Sequence, residues 1–238
     1  MVRTAIWYGL GWLYLVYTGP ALWYVRFLES RGQKTRAQKR TDQATGRLAR
    51  TLFRLSGSSV RVTGAEHIPA EGAVLFVANH QGHMDSLVIH GFIDKPKGFI
   101  SIVEALKIPI LSGWMKQMQC VFLDRSDARQ SSVCLQEAIE TLKKGHSMIV
   151  FPEGHVSDGV EVNEFKRGWL RLATKSGVPI VPVSINGTYK TLSKDGSHVG
   201  KTVVTCVIGK PIETGQIKKE DEIVFVEQLK QTILSNLI

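Results

Sequence analysis

The amino-acid sequence predicts an α/β fold: a largely buried, mixed sheet flanked by helices and preceded by an N-terminal helical segment. From Ser59 onwards, short apolar runs typical of strands alternate with longer runs of helical periodicity, which is the pattern of an α/β domain. At 238 residues the chain is long enough for one good-sized domain with its own core plus an accessory segment. Hydrophobic residues make up 43% and charged residues 21%, proportions ordinary for a folded protein.

The N-terminal segment, residues 4–25, contains no charged side chain. As a single helix it would measure roughly 33 Å, enough to cross the apolar core of a bilayer. Gly19 and Pro20 interrupt it, however, and seven of the chain's ten Trp and Tyr residues are spread along it. Because Trp and Tyr prefer the headgroup level, this spread favours a monotopic helix in one leaflet, with a single-pass helix as the alternative. A cleavable signal peptide is disfavoured because no A-x-A-like site follows.

Most of the net charge of +9 lies just after this segment. Residues 26–55 carry nine basic and two acidic side chains, whereas residues 56–238 carry 20 basic and 19 acidic ones. A basic run beside an apolar segment favours an anionic membrane surface as partner over nucleic acid. Because the basic residues follow the apolar stretch, the rest of the chain is expected at the cytoplasmic face of the cell membrane.

A second, amphipathic helix is predicted over residues 36–55. Five apolar residues fall on one of its faces, with basic residues around them: Ala37, Ala44, Leu48, Leu52 and Leu55. This helix either lies on the membrane or packs on the domain that follows it. We therefore predict an N-terminal membrane-associated helical segment over residues 1–55 and a second domain over residues 56–238.

The second domain is predicted to contain seven strands and five helices. The strands are expected at residues 60–63, 73–78, 99–103, 121–123, 148–151, 180–185 and 203–208. The helices are expected at residues 84–93, 110–118, 130–143, 168–176 and 221–237. Cys120, Cys134 and Cys206 are too few for a disulfide framework and lack metal-site spacing, which indicates buried thiols in a reducing compartment.

The segment Asn79-His80-Gln81-Gly82-His83-Met84-Asp85 directly follows the strand predicted at residues 73–78. A histidine can take a proton near neutral pH, and a carboxylate can orient the imidazole and stabilise its cation. Residues five apart on a helix lie roughly 140° apart around its axis. His80 and Asp85 can therefore meet if His80 precedes the helix and Asp85 lies in its first turn. The alternative is that Asn79 caps the helix and His80 satisfies backbone groups.

Further segments carry candidate functional residues in a distinctive order. They are Val121-Phe122-Leu123-Asp124-Arg125, Phe151-Pro152-Glu153-Gly154, Phe165-Lys166-Arg167-Gly168 and Val178-Pro179-Ile180-Val181-Pro182-Val183. In order and spacing, these segments and the His80 segment resemble the four motifs of the glycerolipid acyltransferase family. The likeness is greatest to the bacterial 1-acyl-glycerol-3-phosphate acyltransferases, and it extends from about residue 60 to about residue 211.

The resemblance implies a glycerol-3-phosphate acyltransferase-like fold, with residues 56–238 as the acyltransferase catalytic domain and an N-terminal helical pair on the membrane. It implies an O-acyltransferase whose acyl donor is a thioester of acyl carrier protein (acyl-ACP) or of coenzyme A (acyl-CoA). The lysophospholipid acceptor would be 1-acyl-glycerol-3-phosphate, acylated at its sn-2 hydroxyl to give phosphatidic acid in phospholipid biosynthesis. The acyl thioester is a co-substrate, and neither a cofactor nor a metal is expected.

Acyl transfer to an alcohol needs a base, because a neutral alcohol is a poor nucleophile. His80 is the expected general base and Asp85 the residue that orients it. The sequence contains no G-x-S-x-G elbow, which favours direct attack by the substrate hydroxyl without an acyl-enzyme.

The resemblance also assigns substrate-binding residues. Arg125 is expected at the acceptor phosphate, Glu153 and Gly154 at the glycerol part, and Lys107 at a further family position. Lys166 and Arg167 match a basic pair that follows the third motif. As alternatives, Arg125 pairs with Asp124 or Asp127, and the basic pair is solvated surface. Residues 178–183 line the acyl groove or support the site, or they form a plain core strand.

The chain departs from the family pattern at Val156, where an arginine that clasps phosphate is expected. A valine cannot form a charge-assisted hydrogen bond. Either Lys166, Arg167 or His155 replaces that arginine, or the protein acylates another lysolipid, or it is a non-catalytic lipid-binding homologue. A metal-dependent hydrolase that uses His80, His83 and Asp85 is a weaker alternative, because a metal site needs three or four converging ligands.

Overall fold

The computed structural model describes residues 2–157, 159, 161–215 and 217–237, with only the backbone described at residue 128. These residues form one sheet of seven strands: β1 Ser59–Thr63, β2 Leu75–Ala78, β3 Lys97–Ile102, β4 Val121–Leu123, β5 Ser147–Val150, β6 Ile180–Asn186 and β7 Val203–Ile208. Their order across the sheet is β1-β7-β6-β2-β5-β3-β4. Neighbouring strands are parallel except for β6 and β7, which are antiparallel. The predicted mixed sheet is thus confirmed.

Eight α-helices are found in the described residues: α1 Val2–Tyr17, α2 Gly19–Ser30, α3 Lys34–Leu55, α4 Asp85–Phe92, α5 Leu111–Gln117, α6 Ala128–Lys143, α7 Leu170–Ser176 and α8 Glu222–Leu234. Short 3₁₀ turns complete the structure: Ala65–His67, Val103–Lys107, Arg167–Trp169, Thr188–Lys190 and Lys219–Asp221. The helices and strands predicted for the second domain are confirmed, with shifts of a few residues at their ends.

Helices cover both faces of the sheet. Because successive side chains of a strand point to opposite faces, Phe76 of β2 packs with α3 and α4, whereas Leu75 packs with α6, α7 and α8. Every residue of β2 is fully buried, as expected for a central strand with helices on both faces. The three cysteines are free and buried, as predicted.

The N-terminal segment forms two helices rather than one. Pro20 has no backbone N–H to continue the hydrogen-bond ladder of α1, and its ring would clash with the preceding turn. The Thr18 hydroxyl, at the break, donates to the Leu15 carbonyl (2.6 Å) and accepts from Trp114 Nε1 (2.8 Å), which anchors the break on α5. None of the described helices combines the length and the apolarity that crossing a bilayer requires.

The amphipathic helix α3 packs on the domain that follows it, which is one of the two alternatives left open by its sequence. Phe53 is fully buried in the same core cluster as Phe76. The predicted apolar face is confirmed except at Leu55, which is 37% exposed. Therefore α3 connects α1 and α2 with the sheet.

The parallel strands position the candidate site. Because β2, β3, β4, β5 and β6 run in the same direction, their carboxyl ends meet at one edge of the sheet. The residues that follow these strands, in chain order, are 79–84, 103–107, 124–127, 151–157 and 187–190. In open α/β sheets, the crevice outside the carboxyl ends is where ligands bind. The residues singled out from the sequence follow these strands, apart from Lys166 and Arg167.

Candidate active site

His80 and Asp85 meet in the geometry that their spacing predicted. His80 lies in the turn after β2, and Asp85 is the first residue of α4. His80 Nδ1 lies 2.7 Å from Asp85 Oδ2, and the Asp85 side chain is fully buried while that of His80 is 17% exposed. A neutral imidazole that donates Nδ1–H to a carboxylate carries its lone pair on Nε2. This nitrogen makes no hydrogen bond to any residue that the structure describes, so it is available as a proton acceptor.

The Asp85 carboxylate is held by two further donors. Its Oδ2 atom also accepts a hydrogen bond from the Gly82 backbone N–H (2.9 Å), and its Oδ1 atom accepts one from the Thr188 hydroxyl. Thr188 begins the 3₁₀ turn after β6 and is fully buried. Sequence reasoning missed Thr188, because 103 residues separate it from Asp85 and no motif marks it.

Asn79 and Gln81 anchor the His80 turn to β6. The Asn79 side chain donates to the Ile185 carbonyl and accepts from the Ile185 N–H, both at 2.8 Å. Gln81 Oε1 accepts from the Gly187 N–H at 3.0 Å. The alternative that Asn79 caps the helix is therefore wrong: Asn79 binds a neighbouring strand, and the residue before α4 is Met84.

The imidazole of His80 is also fixed on its other side. It stacks on the Phe151 ring with centroids 4.1 Å apart and planes 16° from parallel. The His80 N–H donates to Glu153 Oε1 (2.6 Å), and the His80 carbonyl accepts from the Ser157 N–H (2.8 Å). The segment that follows β5 thus contacts the His80 ring and forms hydrogen bonds with the His80 backbone.

Glu153 links segments of the backbone. Its second oxygen, Oε2, accepts from the Asn163 N–H at 2.8 Å, so both carboxylate oxygens bind backbone donors. Burial raises the pKa of the Glu153 carboxyl, and the hydrogen bonds from His80 and Asn163 oppose that rise. The resemblance implied contact with the glycerol part of an acceptor. In this structure the carboxylate instead joins the His80 turn to the loop before α7.

Two cations flank Gly154. Arg125, just after β4, donates from Nη2 to the Gly154 carbonyl. Lys166 also lies close to Gly154, since a Cβ added to Gly154 would be 3.0 Å from Lys166 Nζ. Gly154 has a φ of +74°, so its backbone conformation also favours glycine.

Arg125 does not form the salt bridges offered as alternatives. Asp124 accepts hydrogen bonds from both the hydroxyl and the N–H of Ser126, which lower the pKa of its carboxyl. Asp127 caps α6 by accepting from the backbone N–H groups of the first turn. The Arg125 side chain is exposed, and its guanidinium is oriented by the hydrogen bond to the Gly154 carbonyl.

A cavity of about 400 Å³ lies beside Gly154. Its lining residues are Glu153, His155, Asn163, Glu164, Phe165, Lys166 and Arg167. The three residues suggested as replacements for the missing arginine therefore share one cavity. Val156 itself is not among the lining residues.

Two other expectations have different outcomes. Lys107 ends the 3₁₀ turn after β3, so it lies at the same edge with an exposed side chain, yet no hydrogen bond joins it to the described site residues. In the segment 178–183, Ile180, Val181 and Val183 belong to β6 and are fully buried, which favours the core-strand alternative.

His83 points away from the His80–Asp85 pair. Its Nε2 atom lies 2.9 Å from the Lys194 carbonyl oxygen. Within the part of the chain that the structure describes, no three His, Cys, Asp or Glu side chains come together as a possible metal site. The observed geometry gives the hydrolase alternative no support.

Comparisons with known proteins bear on this arrangement. A family model described as Acyltransferase matches residues 59–186. The chain is 34% identical over 146 residues to the probable 1-acyl-sn-glycerol-3-phosphate acyltransferase of Mycoplasma pneumoniae, an alignment that covers 60% of this chain and 54% of that protein. It is 30% identical over 185 residues to the 1-acyl-sn-glycerol-3-phosphate acyltransferase of Saccharomyces cerevisiae, covering 76% of this chain and 60% of the yeast protein.

The crystal structure of the 1-acyl-sn-glycerophosphate (LPA) acyltransferase PlsC from Thermotoga maritima has a similar fold. The TM-score is 0.87 at 31% sequence identity, over 98% of this chain and 92% of that one.

The family match covers more than half of the chain and extends from β1 to the end of β6, which includes the His80 turn and the segments around Arg125 and Glu153. This protein therefore belongs to the acyltransferase family. The chain spans about half the length of the first curated relatives that it matches.

Proposed function

We propose that this protein transfers an acyl chain from acyl-ACP or acyl-CoA to the sn-2 hydroxyl of 1-acyl-glycerol-3-phosphate, giving phosphatidic acid for phospholipid biosynthesis. The observation that carries the proposal is the His80–Asp85 pair, with Nε2 unoccupied at the carboxyl edge of the sheet and two cations nearby. The family match and the activities named for the relatives support the choice of reaction.

In the proposed mechanism His80 is the general base. Nε2 takes the proton of the acceptor hydroxyl as its oxygen attacks the thioester carbonyl, and Asp85 stabilises the imidazolium that forms. The new C–O bond gives a tetrahedral intermediate, which collapses by breaking the C–S bond with its electron pair on sulfur. A free thiol has a pKa of about 8.5, so the thiolate leaves with little need for protonation.

The acceptor phosphate is proposed to bind at the cations around Gly154. Arg125 approaches Gly154 from β4, and Lys166 approaches it from the loop before α7. Lys166 replaces the charge that is missing at Val156, and His155 and Arg167 add donors in the same cavity. Lys107 is proposed as an outer substrate-binding residue.

The N-terminal residues 1–55 are proposed to hold the protein at the cytoplasmic face of the membrane as a monotopic segment. The outer faces of α1 and α2 expose large apolar side chains, among them Leu13 (69%), Tyr17 (77%) and Trp23 (69%). Exposed apolar surface on this scale, beside the basic residues of α3, suits the interface of an anionic bilayer.

The apolar helix α1 packs on the loop that carries Thr188. Thr4 Oγ1 accepts from the Val199 N–H (3.2 Å), and the Tyr8 hydroxyl donates to the Gly196 carbonyl (3.2 Å). Both partners lie in the segment that follows β6 at the carboxyl edge. The helix α1 and the candidate site thus share contacts with one loop, an arrangement that suits a lipid acceptor.

The test is an acylation assay with purified protein and a labelled acyl donor. Lysophosphatidate, lysophosphatidylcholine, glycerol 3-phosphate and a lyso-aminolipid are offered side by side, and lysophosphatidate is expected to be acylated best. His80→Ala and Asp85→Ala are expected to lower kcat by about 100- to 10,000-fold, the range of a general base, while lysophosphatidate binding is retained.

His83→Ala is the matched control, since His83 lies three residues from His80 with its side chain directed at Lys194; this variant should keep full activity. Undiminished activity of His80→Ala would refute the mechanism. Preference for another lysolipid would show that Val156 marks a different acceptor. Lipid binding without turnover in the wild-type protein would favour the non-catalytic alternative.

A further inference from the structure

Thr188 is placed to control the orientation of the Asp85 carboxylate. Of the two oxygens of this carboxylate, Oδ2 receives His80 Nδ1–H and the Gly82 N–H, whereas Oδ1 receives only the Thr188 hydroxyl among the described residues. Both Asp85 and Thr188 are fully buried, so water does not replace this hydrogen bond. A buried carboxylate oxygen without a donor is strongly disfavoured.

The backbone around Thr188 is held in place from several directions. Gly187 adopts a φ of +102°, a backbone conformation that glycine adopts readily and other residues rarely do. The Gly187 N–H donates to Gln81 Oε1 at 3.0 Å. Gly82 packs directly on this backbone, because a Cβ added to Gly82 would come within 3.0 Å of the Tyr189 nitrogen. The hydroxyl is therefore presented from a fixed position.

The hydrogen bonds from His80 and Thr188 restrain both oxygens of the Asp85 carboxylate. Without the donor on Oδ1, the carboxylate can rotate about its last side-chain bond, and the Nδ1–H bond that orients His80 would rotate with it. Orientation matters because a general base must lie within hydrogen-bond reach of the proton that it removes.

We propose that Thr188 is a positioning residue of this site, whose hydroxyl fixes the Asp85 carboxylate and thereby the imidazole of His80. The proposal rests on the proposed function for its catalytic consequence, whereas its structural consequence is independent of that function. Thr188 touches neither substrate nor the reacting atoms; it acts through Asp85.

The experiment compares Thr188→Val, which keeps the shape and removes the donor, with Thr188→Ser, which keeps the donor. In Thr188→Val, kcat is expected to fall by about 10- to 100-fold with little change in KM for the acceptor. Thr188→Ser is expected to recover most of the lost kcat. The ¹H NMR resonance of His80 Nδ1–H, which is strongly downfield for a proton shared with a carboxylate, is expected to broaden or disappear in Thr188→Val and to persist in Thr188→Ser.

Thr191→Val is the matched control. Thr191 lies three residues further along, is also fully buried, and its hydroxyl has no hydrogen-bond partner among the described residues. This variant should keep the wild-type kcat and the Nδ1–H resonance. Circular dichroism and thermal melting of all three variants separate misfolding from misorientation.

Wild-type kcat and an intact resonance in Thr188→Val would overturn the proposal. So would equal defects in Thr188→Ser and Thr188→Val, or in Thr191→Val and Thr188→Val. Failure of the proposed function gives a different result: His80→Ala would then keep its activity, while the resonance would still report on whether Thr188 holds the pair.

Discussion

His80 is held by four residues that come from two separate parts of the chain, α4 and the segment after β5. Asp85 orients its ring from α4, Phe151 stacks on the ring, and Glu153 and Ser157 bind its backbone. A general base gains from this arrangement because its orientation does not have to be found anew in each catalytic cycle. The proposed general base is thus held more firmly than its partial exposure suggests.

The proposed phosphate site gives a prediction at the scale of one residue. Lys166→Gln removes a charge beside Gly154 while keeping much of the side chain's length. Because a charge-assisted hydrogen bond to phosphate is lost, KM for lysophosphatidate is expected to rise by about tenfold, with kcat less affected. The measurement is steady-state acylation at varied acceptor concentration.

Lys175→Gln, at an exposed lysine of the neighbouring helix α7, is the control and should leave KM unchanged. An unchanged KM in Lys166→Gln would show that the phosphate is bound elsewhere in the cavity, for example by Arg167 or His155.

At the scale of elements, the interface between α3 and α4 contains a half-buried histidine, His90. The Thr45 hydroxyl donates to the Thr41 carbonyl (2.8 Å), so it accepts from His90 Nε2 (2.8 Å). Burial, together with the charges of Lys97 and Arg50, lowers the pKa of His90 from 6.5 to about 3. The imidazole is therefore neutral in the folded protein at pH values where it is charged in the unfolded chain.

This difference predicts an acid-sensitive interface. Because the unfolded state binds the proton more readily, His90 leaves stability unaffected above its ordinary pKa and reduces it as the pH falls from 6.5 towards 3. Between pH 7.5 and pH 5, the free energy of unfolding is expected to fall by about 2 kcal/mol more in the wild type than in His90→Gln. Denaturant titrations of both proteins at the two pH values measure the free energy of unfolding. If the difference in free energy between the wild type and His90→Gln were the same at pH 7.5 and pH 5, the lowered pKa of His90 would be contradicted.

At the scale of the whole molecule, one loop contacts both α1 and the candidate site. This loop begins at Thr188, which binds Asp85, and it reaches α1 at Val199. The proposed membrane-binding segment and the proposed general base are therefore joined through one segment of chain.

The membrane surface gives a prediction for the intact protein. The double variant Leu13→Asp and Tyr17→Asp places two charges on the most exposed apolar part of α1. Because burying a large apolar side chain contributes roughly 1.5–3 kcal/mol, binding to anionic vesicles is expected to fall by more than tenfold. Sedimentation with vesicles of phosphatidylglycerol and phosphatidylcholine measures it, and added salt should weaken wild-type binding through the basic residues of α3.

The control pair Ile223→Asp and Val224→Asp lies on α8, where both side chains are also exposed (61% and 57%). These variants should bind vesicles as the wild type does. Equal losses in the two pairs would mean that the effect comes from general destabilisation, and no loss in the α1 pair would refute the proposed membrane surface.

Much of the architecture follows from the sequence because it depends on local patterns. Apolar runs and helical periodicity predicted the seven strands and the helices of the second domain, and the spacing of His80 and Asp85 predicted their meeting across a strand–helix turn. The basic residues of α3 and the interruption at Gly19 and Pro20 were likewise visible in the order of residues.

Only the tertiary structure decided which distant segments reach His80. Thr188, Ile185 and Phe151 come from β5 and β6 or the turns after them, and they meet the His80 turn because these strands are parallel neighbours of β2. Strand order depends on how the whole sheet packs, and no local pattern contains it. Local periodicity can place a residue at the end of a strand, but which other strand ends lie beside it is set by burial and backbone pairing throughout the fold.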